Sequence, residues 1–189
     1  MILSMMLGHD DELPLIVPSF LTAPSARTYT IASYPKPGMA YDFLKDALGD
    51  ETFTKALHTY MEEWHGKHPT PFDFFNSFSR GAGENLDWFW DPWFFERGYA
   101  DLAIKNVNFE NDQCNVTISR EGILPLPVIV KFIFADNTNQ IVKNSTSVWK
   151  DGNREFVLHY KPAKKIIRIE LGGIDIPDVD RSNNNFIVK

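Results

Sequence analysis

Two stretches of the chain carry side chains at spacings that could do chemistry. His58, Glu62 and His65 stand at i, i+4 and i+7, and His68 follows closely. Glu62-Glu63-Trp64-His65 holds the Glu-x-x-His spacing that some metal sites use. Zinc needs three or four ligands in tetrahedral reach, oriented by a second layer of hydrogen bonds. The sequence contains no His-Glu-x-x-His and no second helix pairing a histidine with a carboxylate. These residues therefore read as a solvated helix face. Asp178-Val179-Asp180-Arg181-Ser182-Asn183-Asn184 offers oxygens at alternate positions, as a calcium loop does. It lacks the glycine and the distal glutamate such a loop requires, so a hydrogen-bonded Asx turn is the better reading. Asn115-Val116-Thr117 and Asn144-Ser145-Thr146 match the glycosylation acceptor pattern, a weak signal that matters only in a secreted eukaryotic chain. No Gly-rich phosphate loop, Gly-x-Ser-x-Gly elbow or Cys–His pair stands out.

The elements that must position any site fall into two kinds, helical to about Gly98 and extended after it. Residues 1–36 form an irregular, Pro-rich lead-in, with Pro14, Pro18, Pro24 and Pro35 each disfavouring helix at the residue before. The apolar run Met1 to Leu7 lacks the basic flank and cleavage site of a signal peptide. It reads as a buried helix end, or as a chain that begins inside something longer. Residues 37–98 form a helical unit of about four helices. The first opens at Pro37 and closes at Gly49. The second, capped by Asp50, shows a stripe of Phe53, Ala56, Leu57, Tyr60, Met61 and Trp64. The third starts with the capping pattern Thr70-Pro71-Phe72-Asp73 and stops at Gly81 and Gly83. The fourth, capped by Asn85, carries Leu86, Trp88, Phe89, Trp90, Trp93, Phe94 and Phe95, with a kink due at Pro92. Residues 99–189 change to a period of two. Strands fall near 102–109, 114–118, 128–134, 141–142, 148–149, 156–160 and 166–171, separated by Asn, Asp, Gly and Pro turns. About seven short strands at that spacing read as an antiparallel β-sandwich. The fold class is thus α+β in two units.

Composition narrows the function classes. The chain has 189 residues, 43% hydrophobic, with a net charge of −6. That charge argues against a nucleic-acid duplex partner, which would call for a basic stripe. One cysteine, Cys114, excludes an internal disulfide framework. No run approaches the ~18 apolar residues of a membrane span. Residues 1–100 hold 19 of the 26 aromatics and carry 14 acidic against 7 basic side chains. An aromatic run such as 88–95 fits core packing better than a sugar or nucleic-acid platform.

A family resemblance adds to this. Ser33-Tyr34-Pro35-Lys36-Pro37-Gly38, a helix ending in Leu48-Gly49, and then Phe53 resemble a stretch of the zinc aminopeptidases typified by membrane alanyl aminopeptidase. The similarity continues through His68-Pro69-Thr70-Pro71, Asp73-Phe74-Phe75, Leu86-Asp87-Trp88-Phe89-Trp90, Trp93-Phe94 and Gly98-Tyr99, in order and at the family's spacing. The strand region and the Pro177 to Asn184 tail resemble the C-terminal region of bacterial members, less specifically.

The resemblance implies a gluzincin metallopeptidase parent that hydrolyses N-terminal peptide bonds, with zinc held by His-Glu-x-x-His and a downstream glutamate. It implies that Tyr34 matches the tyrosine that donates a hydrogen bond to the oxyanion of the tetrahedral intermediate. A neutral phenol is such a donor at working pH. Pro35 and Pro37 stand where the family has glutamate and glycine. Gly81-Ala82-Gly83-Glu84-Asn85 resembles the family's amino-binding loop but lies on the wrong side of Tyr34, and a helix break explains it. The chain would then be the C-terminal part of such a peptidase, inactive alone, with no cofactor of its own. Its partners would be the missing N-terminal catalytic domain and, in the parent, a peptide substrate. The chain reads as soluble; its compartment stays open, with the periplasm or secretion in view for the parent. The alternative is a non-catalytic binding module that retains the family fold. Either way, the aromatic skew predicts that part of Trp88 to Phe95, or of residues 1–37, is exposed or covered by a neighbouring copy.

Overall fold

The computed structural model describes residues 12–22 and 25–188. The Met1 to Leu7 run lies outside them. The chain divides into two compact units, with the break after Arg97.

The helical unit begins with a single turn, α1 (Ser19–Thr22), and a two-turn helix, α2 (Ala26–Ser33). The lead-in is therefore not irregular throughout. Prolines flank 26–33 but do not interrupt it. Ser25 caps α2 by accepting the Thr28 N–H at 3.2 Å, and Ile31 buries its side chain. Helix α3 (Pro35–Leu48) starts two residues earlier than the sequence suggests. Pro35 and Pro37 occupy first-turn positions, where a missing N–H leaves no intrahelical bond unmade. Gly49, at φ +78°, ends α3, and its N–H bonds the Lys45 carbonyl at 2.9 Å. Asp50 is the first residue of α4 (Asp50–Trp64) rather than its cap, and with Glu51 it complements the helix dipole.

Helices α4 and α5 (Pro71–Ala82) cross closely. A Cβ on Gly81 would fall 2.6 Å from the Ala56 Cα, so Gly81 lies inside α5 as a contact point and does not stop it. Gly83, at φ +79°, is the stop. This crossing also turns α4 relative to the expected stripe. Phe53, Ala56, Tyr60 and Trp64 face inward, while Leu57 and Met61 remain 39% and 52% exposed. The Thr70 capping box forms as read, with the Thr70 N–H donating to the Asp73 carboxylate at 2.8 Å. Replacing Gly81 with alanine gains up to ~1 kcal/mol of helix propensity. The clash with backbone costs more, so Gly81→Ala is expected to lower stability by a net ~1–2 kcal/mol. Urea denaturation measures it; a stabilised variant would show the crossing to be looser than the contact distance implies.

Helix α6 (Asp87–Trp90) follows an Asn85 side chain that accepts the Asp87 N–H at 2.7 Å. Pro92 has no N–H to give, and the ladder resumes one residue wider, in a π turn over Asp91–Phe95 where the Glu96 N–H bonds the Asp91 carbonyl at 3.1 Å. Trp90 sits at the centre of a ring cluster, with centroids 5.0 Å from Phe75, 5.4 Å from Phe94 and 5.7 Å from both Phe78 and Phe89. The residues Trp88 to Phe95 are thus not an exposed aromatic surface. Phe89, Trp90, Trp93 and Phe94 are buried, and exposure falls instead on Phe20, Leu21 and Tyr34 within the lead-in and on Phe72.

The strand unit contains β1 (Leu102–Glu110), β2 (Gln113–Arg120), β3 (Val128–Phe134), β4 (Asn139–Asn144), β5 (Glu155–Tyr160), β6 (Ile166–Leu171) and β7 (Asn185–Ile187). They form two antiparallel sheets, ordered β1-β2-β5 and β4-β3-β6-β7. Phe132 of one sheet stacks on Tyr160 of the other at 4.0 Å. Asn111 and Asp112, both at positive φ, make the two-residue turn joining β1 to β2. Two strand assignments change. Val148-Trp149 belongs to a 3-10 turn (Thr146–Trp149), because the buried Trp149 indole is anchored to the Leu126 carbonyl at 2.8 Å. The seventh strand is instead β7, which pairs with β6.

Candidate functional site

Tyr34 occupies the joint between α2 and α3, ending one helix and starting the other. Its N–H donates to the Thr30 carbonyl at 3.2 Å, and its carbonyl accepts from the Gly38 N–H at 3.1 Å. Its ring is 64% exposed and meets Tyr29 edge-on at 6.5 Å. The phenol therefore projects outward from a fixed backbone, available to a ligand. Tyr41 on α3 makes the contrast. It packs against Phe74 and Phe94, and burial pushes its phenol up to about 12.

Behind Tyr34 lies a feature that spacing analysis missed. Lys36 is fully buried, and its ammonium donates to the Glu12 carboxylate at 2.5 Å, with both side chains no more than 2% exposed. A lysine in the first turn of a helix opposes the dipole, and that was the available signal. The partner lies 24 positions away, which no local pattern reveals.

The other sequence candidates do not assemble into a site. His58, Glu62, His65 and His68 are all exposed. His58 and Glu62 share an open concavity of about 760 Å³ along α4 with Asp50, Glu51 and Lys55. Among the described residues no group of three or more His, Cys, Asp or Glu side chains could hold a metal ion, so these residues do not fit a zinc centre. Glu63, beside them, is bound across to α5. It accepts from Ser77 and Arg80, which hold its carboxyl below the usual range, and the Trp64 indole donates to Ser77 at 3.0 Å.

In the strand unit, Asp180 accepts the Ser182 N–H at 3.0 Å, an Asx turn. Asp178 accepts from the Leu102 N–H at 3.2 Å and from Asn184 at 2.8 Å, while burial pushes its carboxyl up. This tail is a hydrogen-bonded latch on β1. Burial likewise pushes the Cys114 thiol up to about 11, which makes it a poor nucleophile. The Gly81 to Asn85 stretch ends α5 and leads toward α6, which begins at Asp87, so it is a break between helices. No helix among the described residues is long and apolar enough to cross a membrane.

Comparison with known proteins places this geometry. Among solved structures, aminopeptidase A of Legionella pneumophila, crystallised with aspartic acid, superimposes over 80% of this chain and 18% of its own, with a TM-score of 0.57 at 18% identity, a likeness of fold. Residues 20–93, which include Tyr34, match the Peptidase family M1 domain. Aminopeptidase N of Lactococcus lactis subsp. lactis is 27% identical over 104 residues, or 55% of this chain and 11% of that protein. The chain therefore spans a small part of each relative. The resemblance read from the sequence is borne out as a similarity: residues 20–93 match the M1 domain, and both relatives named are bacterial aminopeptidases.

Proposed function

We propose that this chain supplies the tyrosine side of an M1-type aminopeptidase site that cleaves N-terminal peptide bonds. One observation carries the reading: Tyr34 lies within the matched segment and presents its phenol to solvent from a joint between two helices. In this role the phenol donates to the carbonyl oxygen of the scissile peptide as it becomes an oxyanion. Such a donor stabilises the transition state more than the ground state. The groups that activate water and grip the substrate's amino terminus are assigned to residues outside this chain, so the chain by itself is catalytically silent. The proposed partners are the zinc-bearing domain of the same enzyme and its peptide substrate.

A second reading, a binding module that retains the fold, draws on the exposed Phe20, Leu21, Met61 and Phe72. One experiment separates the two. The purified chain is assayed with aminoacyl anilides and its zinc content measured, alone and after addition of an M1 segment bearing His-Glu-x-x-His. The peptidase reading expects no turnover and no stoichiometric zinc alone, and turnover on reconstitution. Zinc-dependent turnover by the chain alone, surviving repurification, would overturn the silent-fragment reading. Tight association of the two pieces without turnover would favour the binding module.

A further inference from the structure

We infer that the buried Glu12–Lys36 ion pair positions Tyr34. The inference deepens the reading of Tyr34 as an oxyanion donor and rests on it for its purpose, although the geometry stands apart from catalysis. Lys36 is the second residue of α3, two positions after Tyr34. Its side chain is wholly inaccessible to water, and its ammonium lies at the helix end where the dipole repels a cation. A buried charge in that place is tolerated only with an opposite charge in contact. Glu12 supplies it at 2.5 Å, and its carboxylate is favourably placed at the positive end of α3.

The pair thereby pins the segment that runs on from Glu12 to the first turn of α3. That chain is held again four residues on, where the Ile16 N–H donates to the Phe94 carbonyl at 2.9 Å. Tyr34 has no side-chain capping bond, and among the described residues its ring meets Tyr29. Its direction is consequently set by the backbone at the start of α3. Pro35 and Pro37 restrict φ on either side of Lys36, so little slack separates the anchored lysine from the exposed tyrosine. Glu12 and Lys36 are positioning residues: neither needs to touch substrate.

The test uses the full chain and reads the Tyr34 ring by aromatic NMR, with the resonance assigned through Tyr34→Phe. Glu12→Gln and Lys36→Met are each expected to move the Tyr34 ring resonance and abolish its cross-peak to Tyr29. The Phe78 and Phe132 resonances, in the two cores, should stay in place. The exchanged pair, Glu12→Lys with Lys36→Glu, restores opposite charges in contact and should return the Tyr34 resonance and the cross-peak. An unmoved Tyr34 in either folded single variant overturns the inference. So does an exchanged pair that folds with Tyr34 displaced, or one that cannot fold. Where the single variants do not fold, the exchanged pair decides alone. Failure of the proposed function would appear separately, as full activity of Tyr34→Phe in the chain assembled with a zinc-bearing M1 segment.

Discussion

Tyr34→Phe, in this chain assembled with a zinc-bearing M1 segment, is expected to lower kcat by ~10²–10³-fold, about 3–4 kcal/mol, while KM moves less than about threefold. The asymmetry follows from where the charge appears. A peptide carbonyl oxygen carries little charge in the ground state and nearly a full charge in the tetrahedral intermediate. Removing one hydrogen-bond donor therefore costs mainly at the transition state. The exposed position of Tyr34 also makes the variant clean, since phenylalanine leaves the Tyr29 edge contact and the backbone bonds to Thr30 and Gly38 in place. Tyr41→Phe is the matched control. That ring is half-buried and packs against Phe74, Trp90 and Phe94 instead of standing free, so kcat should hold. Steady-state kinetics on an aminoacyl anilide measure both. Equal losses in the two variants, or an unchanged kcat in Tyr34→Phe, would remove the role.

What the sequence revealed about this site was local, and what it concealed was distant. The Thr70 and Asp73 capping box and the Gly49 and Gly83 terminators involve partners within four residues, so spacing alone identifies them; Asn85, expected as a cap, stands one residue before the Leu86 N-cap and accepts the Asp87 N–H instead. Helix α2 was hidden because prolines on both sides of it were read as a rule for the whole stretch. The π turn at Pro92 announced itself as a break, although its geometry depends on how the ladder recovers downstream. Strand β7 is three residues long and exists because β6 offers an open edge to it. The inward face of α4 depends on Gly81, which lets α5 approach at Ala56 and leaves Leu57 and Met61 outside. Tyr34 could be picked out only by resemblance, because an exposed tyrosine at a helix joint carries no periodic signature. The same non-locality hid the Glu12–Lys36 pair behind it.

Trp90→Ala should be among the most destabilising single changes in the helical unit, by roughly 3–5 kcal/mol. Trp90 is 1% exposed and lies within ring-contact distance of Tyr41, Phe74, Phe75, Phe78, Phe89 and Phe94, which come from α3, α5, α6 and the π turn. Truncation leaves a cavity walled by rigid rings from separate elements, which cannot all move inward together, so little of the lost dispersion energy is recovered. Its indole N–H contributes little, because the bond to the Ser79 hydroxyl is long at 3.4 Å; packing sets the size of the effect. Phe95→Ala makes the comparison. That ring is half-buried and meets Phe72 and Phe75 at the margin of the cluster, and its loss should cost less than half as much. Urea denaturation followed by far-UV dichroism at the helix band reads both. Similar costs for Trp90 and Phe95 would mean that the cluster yields as a soft apolar mass rather than as interlocked rings. It would then be too compliant to hold the α3 framework on which the placement of Tyr34 depends.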